Sequence, residues 1–339
     1  MSFSIRRVAG VLALAAFAQL SGCSSHLLGS AGSGTTVLAQ VQEAPSVTAH
    51  RGVRIFESFY NLSGKDENLS YREQIVTDGQ GNFTTRPLEV FSGATLPDQE
   101  FLFLLKSREG FNWRYRDFLI RDLGAFLKNY KLTSFGKIVT VAGRECLELD
   151  IVRKDGSARW IVSMDTFTGL VLKYEEYDAA GRLFSRMKYE SANFAPDLSG
   201  TVFHTLSNKE LDLTGSPDPV ALLGFDPLVP KLLPGSGLQF VAAYRVTDAN
   251  GINYAKYEYT DGVQTVLFLD SGDQGGVKKS APSGSSNPGG SNSYPPEKLG
   301  MFNDGPFTIM TGRALGREVI AVGKVPQRDL QFLLESALP

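Results

Sequence analysis

Apolar and polar residues alternate with a period of two over most of this chain, the pattern of half-buried strands. In Arg51 to Tyr60, Val53, Ile55 and Phe59 fall on one face, and Arg54, Phe56, Ser58 and Tyr60 on the other. Leu69 to Thr77 carries Tyr71, Ile75 and Val76; Asp78-Gly79 marks a turn, and Asn82 to Val90 resumes with Phe83, Leu88 and Val90. Over Asp98 to Tyr130 the pattern changes. Leu119, Leu123, Phe126 or Leu127, and Tyr130 recur at helical spacing, and Phe101 to Leu105 is a dense apolar run. One or two helices, broken near Glu109-Gly110, are expected there. Such a stripe ordinarily packs on a sheet; less commonly it forms a mobile lid over an apolar cavity. Strands return at Lys137 to Val141, Cys146 to Arg153, Ala158 to Asp165, Leu170 to Tyr177 and Arg182 to Tyr189. Turns as short as Asp155-Gly156 join them, which predicts an antiparallel meander rather than strand–helix–strand units.

Pro217, Pro219, Pro227, Pro230 and Pro234 cluster after this β region, so residues 206–236 read as a Pro-rich hinge between two units. A second unit, 237–339, then carries strands at Leu238 to Val246, Asn253 to Tyr259, Val263 to Asp270, Phe307 to Arg313 and Arg317 to Val322. Residues 272–296 are rich in Gly, Ser, Pro and Asn and are expected to form a disordered loop. Pro326 opens a final helix whose apolar face is Leu330, Leu333, Leu334 and Leu338.

Composition places few constraints. Hydrophobic residues are 42% and charged residues 21% of the 339, ordinary for a globular chain of about two domains. A net charge of −2 gives no whole-chain case for nucleic-acid binding. The cysteines are Cys23 and Cys146, and the histidines His26, His50 and His204 are scattered. Neither set has metal-ligand spacing, and no nucleotide-binding or hydrolase motif is present, so no cofactor is expected. Cys146, near one strand end, is expected to be a small, partly covered residue on the face of Glu148 and Asp150, opposite Leu147, Leu149 and Ile151. Carboxylates are plentiful, but Glu175 and Glu176 are adjacent on a strand and point apart, so they make no catalytic pair. An enzyme is not expected.

The first residues are an address. Arg6 and Arg7 precede an apolar run from Val8 to Leu20, shorter than the roughly 20 residues of a transmembrane anchor. Leu20-Ser21-Gly22-Cys23 follows and resembles the lipobox of bacterial lipoproteins. That resemblance implies a signal peptide over 1–22, diacylglycerol on the Cys23 sulfur, and Cys23 as the mature N-terminus. Ser24 after it, rather than Asp, resembles the outer-membrane-directed class. Residues 23–46, small and polar, read as a flexible tether lifting a folded unit (47–205) off the membrane.

The folded part resembles the MucB/RseB envelope proteins, whose larger domain has the LolA/LolB lipoprotein-carrier fold. Four features carry the resemblance: Tyr71-Arg72-Glu73 with Asp78-Gly79; Val141-Ala142-Gly143-Arg144-Glu145; Trp160 to Leu172, with Val171 where the family turn has Pro; and Gly262 to Phe268 with Gly316 to Val325. The lipid anchor and the insertion at 272–296 depart from the family pattern. The resemblance implies an α+β chain: a curved antiparallel sheet, an incomplete barrel covered by helices, plus a smaller α+β C-terminal domain. It also implies an apolar trough able to bury acyl chains or the lipid of a lipoprotein, without catalytic residues and with a cover that moves. The inward positions expected to line it are Phe56, Tyr71, Phe83, Phe91, Trp113, Leu149, Ile151, Trp160, Val162, Leu172 and Tyr174, and the expected lid is Leu119, Leu123, Phe126 and Leu127. The implied role is regulatory, through a membrane partner of the anti-sigma-factor type. The alternatives are an outer-membrane lipoprotein acceptor of the LolB type, which the anchor favours but which has no place for the second domain, and a non-enzymatic envelope scaffold with a filled core.

Overall fold

A computed structural model describes residues 34–62, 65–93, 99, 112–203, 210–247, 251–272, 297–304, 307–314 and 317–337. The signal peptide, Cys23, His26, His204 and the expected loop from 273 to 296 lie outside the described residues.

The larger unit is an eight-stranded sheet: β1 (Ala49–Leu62), β2 (Lys65–Asp78), β3 (Phe83–Ser92), β4 (Tyr130–Val141), β5 (Arg144–Arg153), β6 (Ala158–Asp165), β7 (Val171–Asp178) and β8 (Leu183–Asn193). The order is β3-β2-β1-β8-β7-β6-β5-β4, and every neighbouring pair is antiparallel. In a flat sheet β4 and β8 would stand about 19 Å apart, four strand spacings. Their Cα atoms instead approach within 8 Å, so the sheet curls strongly. β3 and β4 are not paired with each other, and the curl stays open, the incomplete-barrel form expected of the resemblance.

Helix α1 (Gly34–Val47) replaces most of the expected tether. Leu38, Val41 and Ala44, spaced by three, bury their side chains in the core of the sheet. Its Gly- and Thr-rich start hides that spacing from a reading by composition. Of the expected helical stretch before β4, Phe101 to Leu105 and the break near Glu109-Gly110 lie outside the described residues. The described part of the stretch is a π-helical turn, Asn112–Arg116, an extended segment, and one short helix, α2 (Leu123–Asn129). Asp122 caps α2 by accepting from Ala125 N at 2.6 Å.

The second unit is a seven-stranded antiparallel sheet with order β13-β14-β15-β12-β11-β10-β9. Its strands are β9 (Glu210–Asp212), β10 (Gln239–Thr247), β11 (Asn253–Thr260), β12 (Thr265–Asp270), β13 (Glu297–Asp304), β14 (Phe307–Ala314) and β15 (Arg317–Gly323). The expected hinge is part of this unit. It supplies β9 and helix α3 (Pro219–Leu223), buries Leu213 and Leu223, and packs Phe225, Leu228 and Leu232 on the same core. The last helix, α4 (Gln327–Ala337), closes that core with Leu330, Leu333 and Leu334.

Candidate functional site

The inner face of the larger sheet has an apolar half and a charged half. On β1 the buried positions are His50, Gly52, Arg54, Phe56 and Ser58, while Val53 and Ile55 are half-buried on the other face. The inside face is therefore the one that carries Arg54. Register sets Phe56 opposite Tyr71 and Met187, and Arg54 opposite Glu73 and Tyr189. Further round the curl, Leu149, Ile151, Trp160, Val162, Leu172 and Tyr174 form the apolar half, all at 1% exposure or less.

The segment from Arg114 to Phe118 closes over the charged half. Arg116 donates from Nη2 to Glu73 Oε1 at 2.6 Å, from Nε to Asp117 Oδ1 at 2.8 Å, and from Nη1 to the Tyr71 hydroxyl. Its guanidinium lies 4.6 Å from the Phe56 ring centroid. Arg54 reaches Glu73 Oε1 at 2.8 Å and Asp117 Oδ2 at 2.8 Å. Two cations and two carboxylates thus form a neutral, buried quartet. Burial alone would lift the Asp117 carboxyl, but the Arg116 and Arg54 guanidiniums hold it below the usual carboxylate range. Burial likewise opposes charge on Arg116, and the Asp117 and Glu73 carboxylates more than offset it. Burial pushes the Tyr189 phenol up to about 12.

His50 extends this polar region. Thr77 Oγ1 donates to Thr48 O at 3.0 Å, so it accepts from His50 Nδ1–H at 2.9 Å, and His50 Nε2 accepts from the Tyr189 hydroxyl at 2.9 Å. That pattern holds the ring neutral. Burial lowers its pKa to about 4; the Thr48 carbonyl opposes the shift and Arg54 adds to it.

The same segment faces the second unit. Tyr115 points away from the sheet that receives Arg116 and packs on Leu267, Phe307 and Val322. Its hydroxyl donates to Glu258. Arg114 pairs with Glu210 at 2.9 Å, and the Arg121 amide donates to Gly262 O at 2.9 Å. Lys324 of the second unit donates to Arg116 O at 3.0 Å and pairs with buried Glu176 at 2.8 Å. Tyr130 donates to Asp261 at 2.6 Å. The strip from Arg114 to Arg121 is thus a wedge held by both units.

The expected trough residues split three ways. Phe56, Tyr71, Leu149, Ile151, Trp160, Val162, Leu172 and Tyr174 come together in one core, packed against one another, and Phe83 is buried at the start of β3. Phe91 lies elsewhere: it is 45% exposed and sits 5.1 Å from the guanidinium of Arg72, an outer-face residue. Trp113 lies in the π-helical turn. Of the expected lid, Phe126 is buried and stacks on Tyr130, which meets Trp160 edge-on. Leu123 packs on the core margin, Leu119 is half-buried in the extended segment, and Leu127 is 44% exposed. Cys146 is fully buried rather than partly covered, and it belongs to the same core cluster as Leu149. Burial raises its thiol to about 11, which keeps it unreactive.

Alternation missed Arg54, Glu73, Arg116 and Asp117 as site residues. A signal existed: Arg54 shares a strand face with Phe56, and Glu73 with Tyr71. Among the described residues no His, Cys, Asp and Glu group could hold a metal ion. No helix among them is long and apolar enough to cross a membrane.

The model of the MucB/RseB N-terminal domain matches residues 95–209. That span holds the second and third of the four sequence features, and the wedge. Among solved structures, the MucA/MucB complex of Pseudomonas aeruginosa is similar at 15% identity, covering 90% of this chain and 96% of that one, with a TM-score of 0.47. A crystal structure of MucB is similar at 17% identity, with coverages of 91% and 99% and a TM-score of 0.47. A LolA superfamily protein, NE2245 from Nitrosomonas europaea, is similar at 11% identity, with coverages of 52% and 99% and a TM-score of 0.21. No curated protein matches the chain. Residues 95–209, the span similar to the family's N-terminal domain, hold β4 to β8 of the open, curled sheet.

Proposed function

We propose that this chain is a lipid-anchored protein of the bacterial envelope that binds a membrane partner of the anti-sigma type. It regulates that partner in response to acyl chains or lipoproteins. The observation that carries this reading is the family match over 95–209, which includes the wedge joining the two units. The lipobox at Leu20 to Cys23 supports the anchor, and Ser24 supports the outer membrane as its place. Among the described residues the inner face of the sheet is packed with the chain's own side chains, so hydrocarbon would enter there as the wedge or α1 withdraws. Burying an acyl chain there is non-directional and needs no catalytic group.

Two measurements test this. Mass spectrometry of the mature N-terminus is expected to show acylated Cys23, and Cys23→Ser is expected to leave an unprocessed or soluble protein. A variant that still fractionates as a mature acylated membrane protein removes the lipobox reading. Titration of the full mature chain with a fluorescent fatty acid is expected to saturate, with endogenous acyl chains recovered from detergent-free preparations. Failure of both leaves the scaffold. A LolB-type acceptor is the second reading, favoured by the lipobox; it predicts transfer of a lipoprotein from a soluble carrier.

A further inference from the structure

The two ends of the larger sheet differ. One end carries the first residues of β4, the β5–β6 turn and the β7–β8 turn, and there the second unit docks through Asn129, Tyr130 and Arg153. Two of its hairpin turns, Lys154 to Ser157 and Asp178 to Arg182, carry Lys154, Asp155, Asp178 and Arg182. The other end carries the turns Asp78 to Asn82, Ala142-Gly143 and Thr166 to Gly169, whose one charged residue is Asp78. Helix α1 lies across that end. A Cβ on Gly169 would sit 3.1 Å from Gln40 O, and one on Gly79 would sit 3.0 Å from Val47 O. The one charged residue of α1 is Glu43.

At this end the β6–β7 turn presents Phe167 at 86% exposure. The turn is braced. Asp165 Oδ1 accepts from the amides of Phe167 at 3.1 Å and Thr168 at 2.8 Å, and Arg144 clamps its other oxygen at 2.6 Å. The Thr166 amide donates to Glu145 O at 3.1 Å, and Gly169 takes φ +80. An aromatic ring held outward by a rigid turn loses little freedom when it is covered.

The occupant follows from the anchor, and this step rests on the lipobox reading of Cys23. Cys23 precedes Gly34 by 11 residues, a reach of at most roughly 40 Å whatever their conformation. Gly34 begins α1 six residues before Gln40, about 9 Å along the helix. The 8-residue strands β6 and β7 beside Phe167 run about 26 Å, and the second unit occupies the far end of that wall, so a bilayer there would lie behind the second unit. We propose that the end of the larger sheet bearing Phe167 faces the lipid surface, and that Phe167 seats in the interfacial layer of the membrane holding the acylated N-terminus. The second unit then points into the periplasmic space. Aromatic side chains favour this layer.

The test uses the full acylated chain in vesicles of phosphatidylethanolamine and phosphatidylglycerol at a ratio of about three to one, an envelope-like mixture rich in Phe-accepting interface. F167W places an indole at the tip, and A180W places one at the opposite end. Lipids brominated high on the acyl chain are expected to quench the F167W signal at least about twofold over the parent background, with a blue shift, and to leave A180W unquenched. Phe167→Ser is expected to float with vesicles as the parent does, because the anchor is untouched. Flotation with no quenching in F167W, or quenching of A180W as strong as that of F167W, overturns the orientation while the anchor stands. An unacylated Cys23 in the mass spectrum overturns the anchor, and the orientation with it.

Discussion

Replacing Arg116 by Met isolates what the wedge contributes. In the parent, Arg54, Glu73, Arg116 and Asp117 balance two positive against two negative charges, at exposures of 1%, 3%, 2% and 7%. Arg116→Met leaves Glu73 and Asp117 sharing Arg54, with one uncompensated negative charge in the core. Breaking a buried pair in this way costs about 3–5 kcal/mol. Since 1.4 kcal/mol is tenfold, detachment of the wedge becomes about a hundred to several thousand times more frequent. The assay is native-state hydrogen exchange, read at the Arg121 amide bonded to Gly262 O at 2.9 Å. A matched urea titration gives the global value. Glu73→Gln in the same background restores neutrality, with Arg54 facing Asp117, and is expected to recover more than half the loss. The pH dependence has a defined sign. Asp117 has a lowered pKa, so the parent holds its contribution above the unfolded value and loses it as pH falls through the folded one. In Arg116→Met the excess carboxylate takes up a proton on folding, so its deficit narrows as pH drops from 7 towards 4. A variant within about 1 kcal/mol of the parent, or a double variant no more stable than the single, refutes this account of the quartet.

Three further outcomes follow from the same geometry. His50 has a pKa of about 4 folded against 6.5 unfolded, so the unfolded chain binds more protons between those values. Stability should fall by about 3 kcal/mol across that window as pH drops, and His50→Gln should remove that component from urea titrations run at pH 7 and pH 4.5. Gly262 has φ +109, and a Cβ there would sit 2.3 Å from Phe126 N. Gly262→Ala should lower urea stability by more than about 2 kcal/mol, whereas Gly136→Ala, at φ +116 in open space, should cost about 1 kcal/mol from backbone strain alone. Lys324→Met should cost about 3 kcal/mol by leaving Glu176 buried at 2% exposure, and a double-mutant cycle with Glu176→Gln should return at least half of it.

The sheet of the larger unit was legible because period-two alternation and two-residue turns are local signals. Asp155-Gly156 and Asp78-Gly79 fall at hairpin tips as read, and Leu330, Leu333 and Leu334 cover the second core as their spacing implies. What alternation could not supply was which face lies inside. On β1 the more apolar face, Val53, Ile55 and Phe59, is the outer one, because the inner face buries Arg54 against residues far away in sequence. A buried charge is recognisable only with its partner, and Asp117 lies 63 positions beyond Arg54 in a segment without strand periodicity. The Pro-rich stretch failed for a related reason. Prolines mark turns, and turns occur equally in a hinge and in a wall of loops packed over a core, where Leu213, Leu223 and Phe225 place this one.

The candidate site follows from one local fact, that Tyr115 and Arg116 are consecutive in the π-helical turn and point opposite ways. Arg116 is held in the larger sheet by Glu73 and Tyr71, and Tyr115 in the second unit by Glu258 and a patch of Leu267, Phe307 and Val322. Between them the Arg116 carbonyl accepts from Lys324, whose amine also holds Glu176. A backbone this short cannot release one side chain and keep the other in place. Whatever enters the sheet by displacing Arg116 therefore strips contacts from the second unit as well, and whatever grips the second unit in its present position resists that entry. Ligand and partner would then oppose each other through a shared element of a few residues, with a coupling bounded by the ion pairs the wedge loses.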